Sequence, residues 1–255
     1  MSWHAKNLKI SSHCFFGAAG GVSKGRYSSL NTNFKSEDLP ENVTRNFEII
    51  ASCFNKKPAD MCLIIQGVTD RAVYVDEPSK YKITADGMVT KKSGLLLGIK
   101  TADCAPVLFA DYRNKVIGAA HAGWRGAYKG VIENTLGLML ENGAELKNIC
   151  AAIGPCIQRQ SFEVQSDMKD IFLQLSSQNG QYFTTGKDEN HFYFDLSGYV
   201  CNKLHELGVE NVENCGIDTY PEKNGYFSYR RNTHLNIMNS RFDYPTQYSF
   251  IMLEG

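Results

Sequence analysis

The apolar residues of this chain fall into many short runs, and that pattern most restricts the folds open to it. Five runs of four or five residues lie at 61–65, 72–75, 95–99, 106–110 and 116–120, and glycine, aspartate or asparagine breaks them up. Further runs follow at 149–153, 191–195, 212–218, 226–230 and 248–253. Runs of this kind predict β-strands, and none approaches the roughly 20 apolar residues of a membrane span.

Four other segments have the apolar spacing of amphipathic helices. Residues 41–54 carry apolar side chains at 43, 47, 50, 51 and 54. The remaining three are 127–142, which stops before Gly143; 166–177, which starts at a capping Ser166; and the segment from a capping Asp195 to Gly208. Strands and helices do not alternate strictly, so their order predicts an α/β (α+β) fold with mixed sheets flanked by helices.

Composition favours one domain and excludes several classes of partner. The 255 residues show no repeat, low-complexity tract or linker, so we predict a single domain over 1–255. Lys+Arg is 27 and Asp+Glu is 27, which argues against nucleic acid and against an anionic membrane as partners. The eight cysteines form no C-x-x-C pair and the N-terminus is a poor signal peptide, so we predict a reducing, cytoplasmic location. The oligomeric state stays open.

The densest group of reactive residues lies in segment 101–126. Asp103 and Cys104 precede one predicted strand and His121 ends the next, 17 residues after Cys104. An antiparallel return would bring the thiol and the imidazole side by side. Such a pair can act as nucleophile and base, or as two ligands of a zinc ion that needs a third protein ligand for catalysis. A buried cysteine packed beside a histidine, with no chemical role, is the remaining alternative.

Three arginines are candidates for holding an anion. Arg125 follows His121 in a glycine-flanked turn that leads into a predicted helix, where free N–H groups and the guanidinium suit phosphate. Arg230 and Arg231 follow the stretch YFSY of the predicted strand at 226–230 and could supply a further contact. Without a nearby site they would be an ordinary exposed pair.

The chain also resembles a known family through five stretches: TADCAPVLFAD, GAAHAGWRGAYKGVIENT, IGPC followed by FEV, GGVSKGRYSSLN, and FSYRR. These resemble the bacterial laccase-domain family, named for multicopper polyphenol oxidoreductase laccases, over about residues 11–255. The resemblance implies one compact domain similar to the catalytic core of cytotoxic necrotizing factors. It also implies a zinc-dependent purine nucleoside phosphorylase that converts adenosine or inosine and phosphate to the base and ribose 1-phosphate, with adenosine deaminase as a second activity. Its partners would be a purine nucleoside and phosphate.

The resemblance implies a metal site of three residues, of which this chain retains two. Cys104 and His121 match the family's cysteine and second histidine, and are the implied ligands and catalytic residues. Gln66 matches the family's Gln-x-His, but Val68 replaces the histidine and has no donor atom. We therefore expect zinc to bind weakly or not at all. Copper is not expected, because two ligands are too few for several copper ions.

Two family arginines are also missing. Ala18 stands before the GGVS loop and Pro245-Thr246 before the last strand, where relatives usually carry arginine. Arg125, Arg230 and Arg231 remain as the implied phosphate-binding residues, because bidentate guanidinium groups suit that anion.

Three hypotheses about function stay open at this level. The chain is an active nucleoside phosphorylase, or a degenerate member in which Cys104 and His121 survive for packing. Alternatively it is a metal-free hydrolase or deamidase in which His121 is the base for Cys104. The last mechanism needs a residue that orients His121, for which Asp103 and Gln66 are the candidates.

Overall fold

The computed structural model describes residues 2–8 and 12–254. Within these ranges the strands are β1 (Ser2–Trp3), β2 (Ser12–Phe16), β3 (Met61–Ile65), β4 (Ala72–Tyr74), β5 (Lys80–Thr84), β6 (Gly87–Thr90), β7 (Leu96–Thr101), β8 (Ala105–Asp111), β9 (Val116–Ala122), β10 (Ile149–Ile153), β11 (Glu163–Gln165), β12 (Phe183–Thr185), β13 (His191–Phe194), β14 (Asn211–Asn214) and β15 (Gln247–Met252). The α-helices are α1 (Pro40–Ser52), α2 (Trp124–Lys129), α3 (Val131–Glu141), α4 (Ser166–Leu175), α5 (Leu196–Glu206) and α6 (Tyr229–His234).

Two large mixed sheets carry the fold. The first has the strand order β1-β2-β15-β7-β3-β5 and the second β14-β10-β8-β9-β6-β4, while β11-β13-β12 form a small third sheet. Parallel pairs, such as β3 with β7 and β10 with β14, stand beside antiparallel pairs, such as β8 with β9. The predicted α/β fold with mixed sheets is confirmed.

The two large sheets lie face to face, and helices cover their outer faces. One apolar core fills the space between the sheets and contains Leu97 and Ile99 of β7 together with Leu108 of β8. A second core lies between the second sheet and α3, α4 and α5, and a third lies between the first sheet and α1. Because the central strands are buried on both faces, they are continuous apolar runs rather than alternating ones. Among the described residues, no helix has the length and apolar character needed to cross a membrane.

The hairpin of β8 and β9 forms the centre of the second sheet. Its register runs from Asp111 opposite Val116 to Ala105 opposite Ala122, and every residue of both strands is buried. The side chain of Asp111 closes the turn by accepting from the backbone N–H of Asn114 at 3.0 Å. The predicted antiparallel return between the cysteine and the histidine is confirmed.

The predicted helices are confirmed with local corrections. The segment 127–142 is two helices, α2 and α3, because Gly130 between them adopts the left-handed region with φ 104°. Asp195 caps α5 as predicted, since its carboxylate accepts from the N–H of Gly198 at 2.8 Å. Ser166 does not cap α4: it is the first helical residue, and Gln165 precedes it.

One strand prediction was wrong, and a second strand was predicted too long. Residues 226–230 contain no strand; Tyr226 and Phe227 are buried in a loop, and α6 begins at Tyr229, capped by the hydroxyl of Ser228. The predicted strand at 212–218 is shortened to β14. Apolar composition alone does not distinguish a buried loop from a buried strand.

A cluster of aromatic rings joins α4 to its neighbours and supports a stability prediction. The fully buried ring of Phe172 lies 4.9 Å from that of Phe194 and 5.0 Å from that of Tyr199. We expect Phe172→Ala to lower the free energy of unfolding by about 3–5 kcal/mol, because the cavity would remain partly unfilled. Leu175→Ala, at a position of the same helix that is 53% exposed, should change it by less than about 0.5 kcal/mol. Urea unfolding checks both; equal losses would contradict the packing assignment.

Candidate active site

The fold brings Cys104 and His121 together. Cys104 immediately precedes β8, and His121 is the second-last residue of β9, so the hairpin register places both at one end of the second sheet. Gly123 shows how close they are: a Cβ added there would lie 2.9 Å from the Cys104 sulfur and 3.8 Å from Nε2 of His121. Glycine is therefore needed at 123, because any other side chain would displace the sulfur.

Asp86, which precedes β6, holds the histidine. One carboxylate oxygen lies 2.8 Å from Nδ1 of His121, and its backbone carbonyl accepts from the N–H of His121 at 2.7 Å. The other oxygen accepts from the N–H and the hydroxyl of Thr69 at 2.6 and 2.8 Å, and from the N–H of Gly67 at 3.1 Å. Because Nδ1 is engaged by Asp86, Nε2 is the nitrogen left for Cys104 or for a ligand.

Asp86 is the site residue that the sequence analysis missed. It lies in the stretch TADGMV, 35 residues before His121, and no spacing rule connects the two positions. The only available signal is an acidic residue beside a short apolar strand, which ordinarily indicates a turn.

The surrounding charges change the acidity of this pair. Burial by itself lowers the pKa of His121, but Cys104 and Asp86 outweigh burial and raise it to about 9. Burial likewise opposes ionisation of Asp86, yet the hydrogen bonds from His121 and Thr69 lower its pKa. The geometry therefore favours a carboxylate that keeps the imidazole in one orientation.

Neither residue first considered for orienting His121 does so. Asp103 is buried and accepts from the hydroxyl of Thr219 at 2.6 Å and from the N–H of Arg230 at 2.7 Å. Burial raises the pKa of this aspartate. Gln66 instead bonds both backbone groups of Lys100, each at 2.7 Å. Asp103 thus connects the site to α6, and Gln66 connects β3 to β7.

Cys104 and His121 open into a cavity of about 260 Å³. Val68, Lys100 and Tyr244 line the same cavity. Burial raises the pKa of Tyr244 to about 12, with a further contribution from the nearby Cys104. The volume lies just below the range of about 300–1,000 Å³ that is usual for small-molecule sites, so the cavity suits a compact ligand.

The three candidate arginines lie outside this cavity. Arg125 is on the first turn of α2, with its guanidinium 4.1 Å from the ring centre of Trp124. It lines a second cavity together with Arg230, which donates to the carbonyl of Glu163 at 2.8 Å.

Arg231 is more fully engaged by the backbone. Its guanidinium donates to the carbonyls of Thr219, Tyr220 and Tyr226 at 2.7–2.9 Å. It lines a third cavity, beside Ala18 and Pro245. The structure thus places Arg125 and Arg230 in one cavity, and none of the three arginines is among the residues that line the Cys104 cavity; phosphate binding by them stays a prediction.

The donor set is one ligand short of a catalytic zinc site. Cys104 offers its sulfur and His121 its Nε2, while Val68, which lines the cavity, offers no donor atom. Over 2–8 and 12–254, no three His, Cys, Asp or Glu residues are grouped so that they could hold a metal ion. These residues do not fit the three-ligand site that the family resemblance implies; weak zinc binding stays a prediction.

Similar sequences agree on one family. A family model described as multi-copper polyphenol oxidoreductase laccase matches residues 12–240. The chain is 38% identical over 213 residues to a purine nucleoside phosphorylase of Rickettsia conorii, which covers 84% of this chain and 85% of the relative. It is 32% identical over 212 residues to the purine nucleoside phosphorylase YfiH of Escherichia coli, which covers 83% and 85%.

Solved structures share the whole fold. Protein NMB0706 of Neisseria meningitidis superposes with a TM-score of 0.84 at 29% identity, covering 100% of this chain and 99% of that one. The hypothetical protein YfiH of Bacillus licheniformis gives 0.87 at 27% identity, covering 96% and 94%. The predicted family resemblance and its single mixed α/β domain are confirmed; the likeness to cytotoxic necrotizing factors stays a prediction.

Val68 has no donor atom for a metal, and its backbone conformation is unfavourable for valine. Substitution at this position therefore tests whether a third ligand would restore zinc binding. Its φ of 58° lies in the left-handed region, which β-branched residues rarely adopt but histidine and asparagine adopt more readily. We expect Val68→His to add a nitrogen ligand beside Cys104 and His121 and to gain zinc affinity. The variant should also melt at a higher temperature with zinc than without.

Val68→Asn is the matched control, because asparagine also relieves the backbone strain but supplies no imidazole. Calorimetric titration with zinc compares the parent and both variants. If Val68→His takes up no more zinc than Val68→Asn, position 68 does not complete a metal site.

Proposed function

We propose that this chain, which belongs to the multi-copper polyphenol oxidoreductase laccase family, is a purine nucleoside phosphorylase acting on adenosine or inosine. Relatives that carry that name match more than four fifths of the chain at 32–38% identity. The observation that carries the proposal is the Cys104–His121 pair, oriented by Asp86 at the wall of a cavity for a compact ligand.

The reaction assigns a definite task to His121. An oxygen of inorganic phosphate would form a bond to ribose C1′ as the bond from C1′ to the purine nitrogen breaks. The electron pair of that bond leaves with the purine, which must gain a proton. His121 is the proposed donor, since Asp86 positions its ring and raises its basicity.

Asp86 acts in this scheme as a positioning residue. It fixes Nδ1 of His121 and at the same time holds the loop at Gly67 and Thr69, so the imidazole and the cavity wall share one anchor. Adenosine deamination, as a second activity of the same cavity, would appear as inosine in the phosphorolysis assay.

A thiol-dependent hydrolase is the second candidate, and one observation favours it. Cys104, His121 and Asp86 follow the order of nucleophile, base and orienting carboxylate. Asp86 is therefore the residue that orients His121, which the sequence analysis did not identify. This candidate needs no third metal ligand, so Val68 would not impair it.

Phosphorolysis by the purified protein tests the first proposal. We expect phosphate-dependent release of adenine or hypoxanthine, measured by chromatography beside elemental analysis of the same sample.

Variants of the two site residues test their roles in this release. Cys104→Ala should abolish release while lowering the free energy of unfolding by only about 1–3 kcal/mol. His121→Ala should slow release by about 10²–10⁴-fold. Cys53→Ala, at an exposed cysteine, should behave as the parent. No release by the folded parent, with or without added zinc, would favour a degenerate member.

Trapping an acyl-enzyme tests the second candidate. We expect a thiol hydrolase to hold the acyl group of an activated ester on Cys104, which mass spectrometry of the digested protein would locate. Asp86→Asn should reduce the trapped fraction, because the imidazole would lose its carboxylate partner. Labelling confined to the exposed Cys53 would rule the hydrolase out.

A further inference from the structure

The cavity beside Cys104 and His121 contains two positive charges and no compensating carboxylate. Lys35 and Lys100 line it, and no aspartate or glutamate is among its described lining residues. Neither lysine belongs to any of the ion pairs formed by the described part of the chain. Lys35 is exposed and Lys100 is half-buried. Holding the Lys100 ammonium half-buried without a counter-charge costs free energy, and an anion in the cavity would recover that cost.

Lys100 is held firmly at this position. It lies near the end of β7, opposite Tyr248 of β15, and the Gln66 side chain bonds both its N–H and its carbonyl at 2.7 Å. Burial and the nearby Lys35 ammonium lower the pKa of Lys100. Both lysine side chains line the same cavity.

Lys35 reaches the cavity from the loop that follows Asn33. Its ammonium lies 5.1 Å from the ring centre of Phe242, which also lines the cavity. The ring face attracts the ammonium but carries no net charge, so it does not neutralise the lysine. Lys35 therefore offers a positive charge at the mouth of the cavity, and Lys100 offers one deeper inside.

We propose that Lys35 and Lys100 bind the phosphate co-substrate next to Cys104 and His121. The assignment rests on the proposed phosphorolysis. It takes the place of the arginines first considered, because Arg125 and Arg230 line a different cavity and the Arg231 guanidinium bonds three carbonyls. Phosphate is a polyanion with several acceptor oxygens, so it can accept hydrogen bonds from both ammonium groups at once.

Binding of inorganic phosphate, without nucleoside, tests the site directly. We expect Lys100→Met and Lys35→Met each to weaken phosphate binding at least about tenfold in a calorimetric titration at low ionic strength, which corresponds to about 1.4 kcal/mol. Lys100→Arg, which keeps the positive charge, should retain most of the affinity. Lys92→Met, at an exposed lysine outside the cavity, is the matched control and should bind as the parent does.

Thermal melting gives a second readout that separates binding from misfolding. Because removing one of two repelling charges does not harm the fold, Lys100→Met should melt no lower than the parent without phosphate. It should also lose the rise in melting temperature that phosphate produces in the parent. If Lys35→Met and Lys100→Met keep the parent affinity, or if Arg125→Met and Arg230→Met lose it instead, the assignment is overturned.

Kinetics distinguish this proposal from the function on which it rests. If Lys100→Met still catalyses phosphorolysis with an unchanged KM for phosphate, the proposed function stands and the lysine site is wrong. If the parent binds phosphate through the two lysines but catalyses no phosphorolysis, the lysine site stands and the proposed function is wrong.

Discussion

The buried hairpin of β8 and β9 is the constraint on which the rest of the molecule depends. All residues of both strands are buried, with one face packed against the first sheet and the other against α3, α4 and α5. A shift of one residue in this register would exchange the two faces and unpack both cores at once. The register that keeps the cores intact also places Cys104 beside His121, so packing of both cores stabilises the site geometry.

Asp86 extends this anchoring to the cavity wall. Its carboxylate and carbonyl join β9 to the loop at Gly67 and Thr69 through five hydrogen bonds of 2.6–3.1 Å. The loop includes Val68, where the family pattern places a third metal ligand. Asp86 holds the backbone on both sides of Val68, whose own side chain has no donor atom. A substitution at position 68 can therefore change what the cavity binds while the hydrogen bonds that shape its wall remain.

The charges around the cavity differ from those that arginine content suggested. Arginines are easily noticed in a sequence, but here the Arg125 guanidinium lies over the Trp124 ring. The Arg231 guanidinium donates to the backbone carbonyl of Tyr226. The uncompensated cations that line the cavity belong to Lys35 and Lys100, which no short motif marks. An anion-binding role depends on the absence of nearby carboxylates, and that is a property of the packed structure rather than of a stretch of sequence.

The sequence by itself determined the mixed-sheet class, most strands and helices, and the pairing of Cys104 with His121, because apolar runs and an antiparallel return act over short chain distances. The resemblance to the family also singled out Val68, which stands where the family pattern has a histidine; its effect on metal binding stays a prediction. Only the tertiary structure revealed Asp86 as the partner of His121 and assigned the segment 226–230 to a loop and α6. Those outcomes depend on contacts between residues far apart in the chain. Local propensity has no information about such contacts, since packing of the whole core decides which distant groups meet.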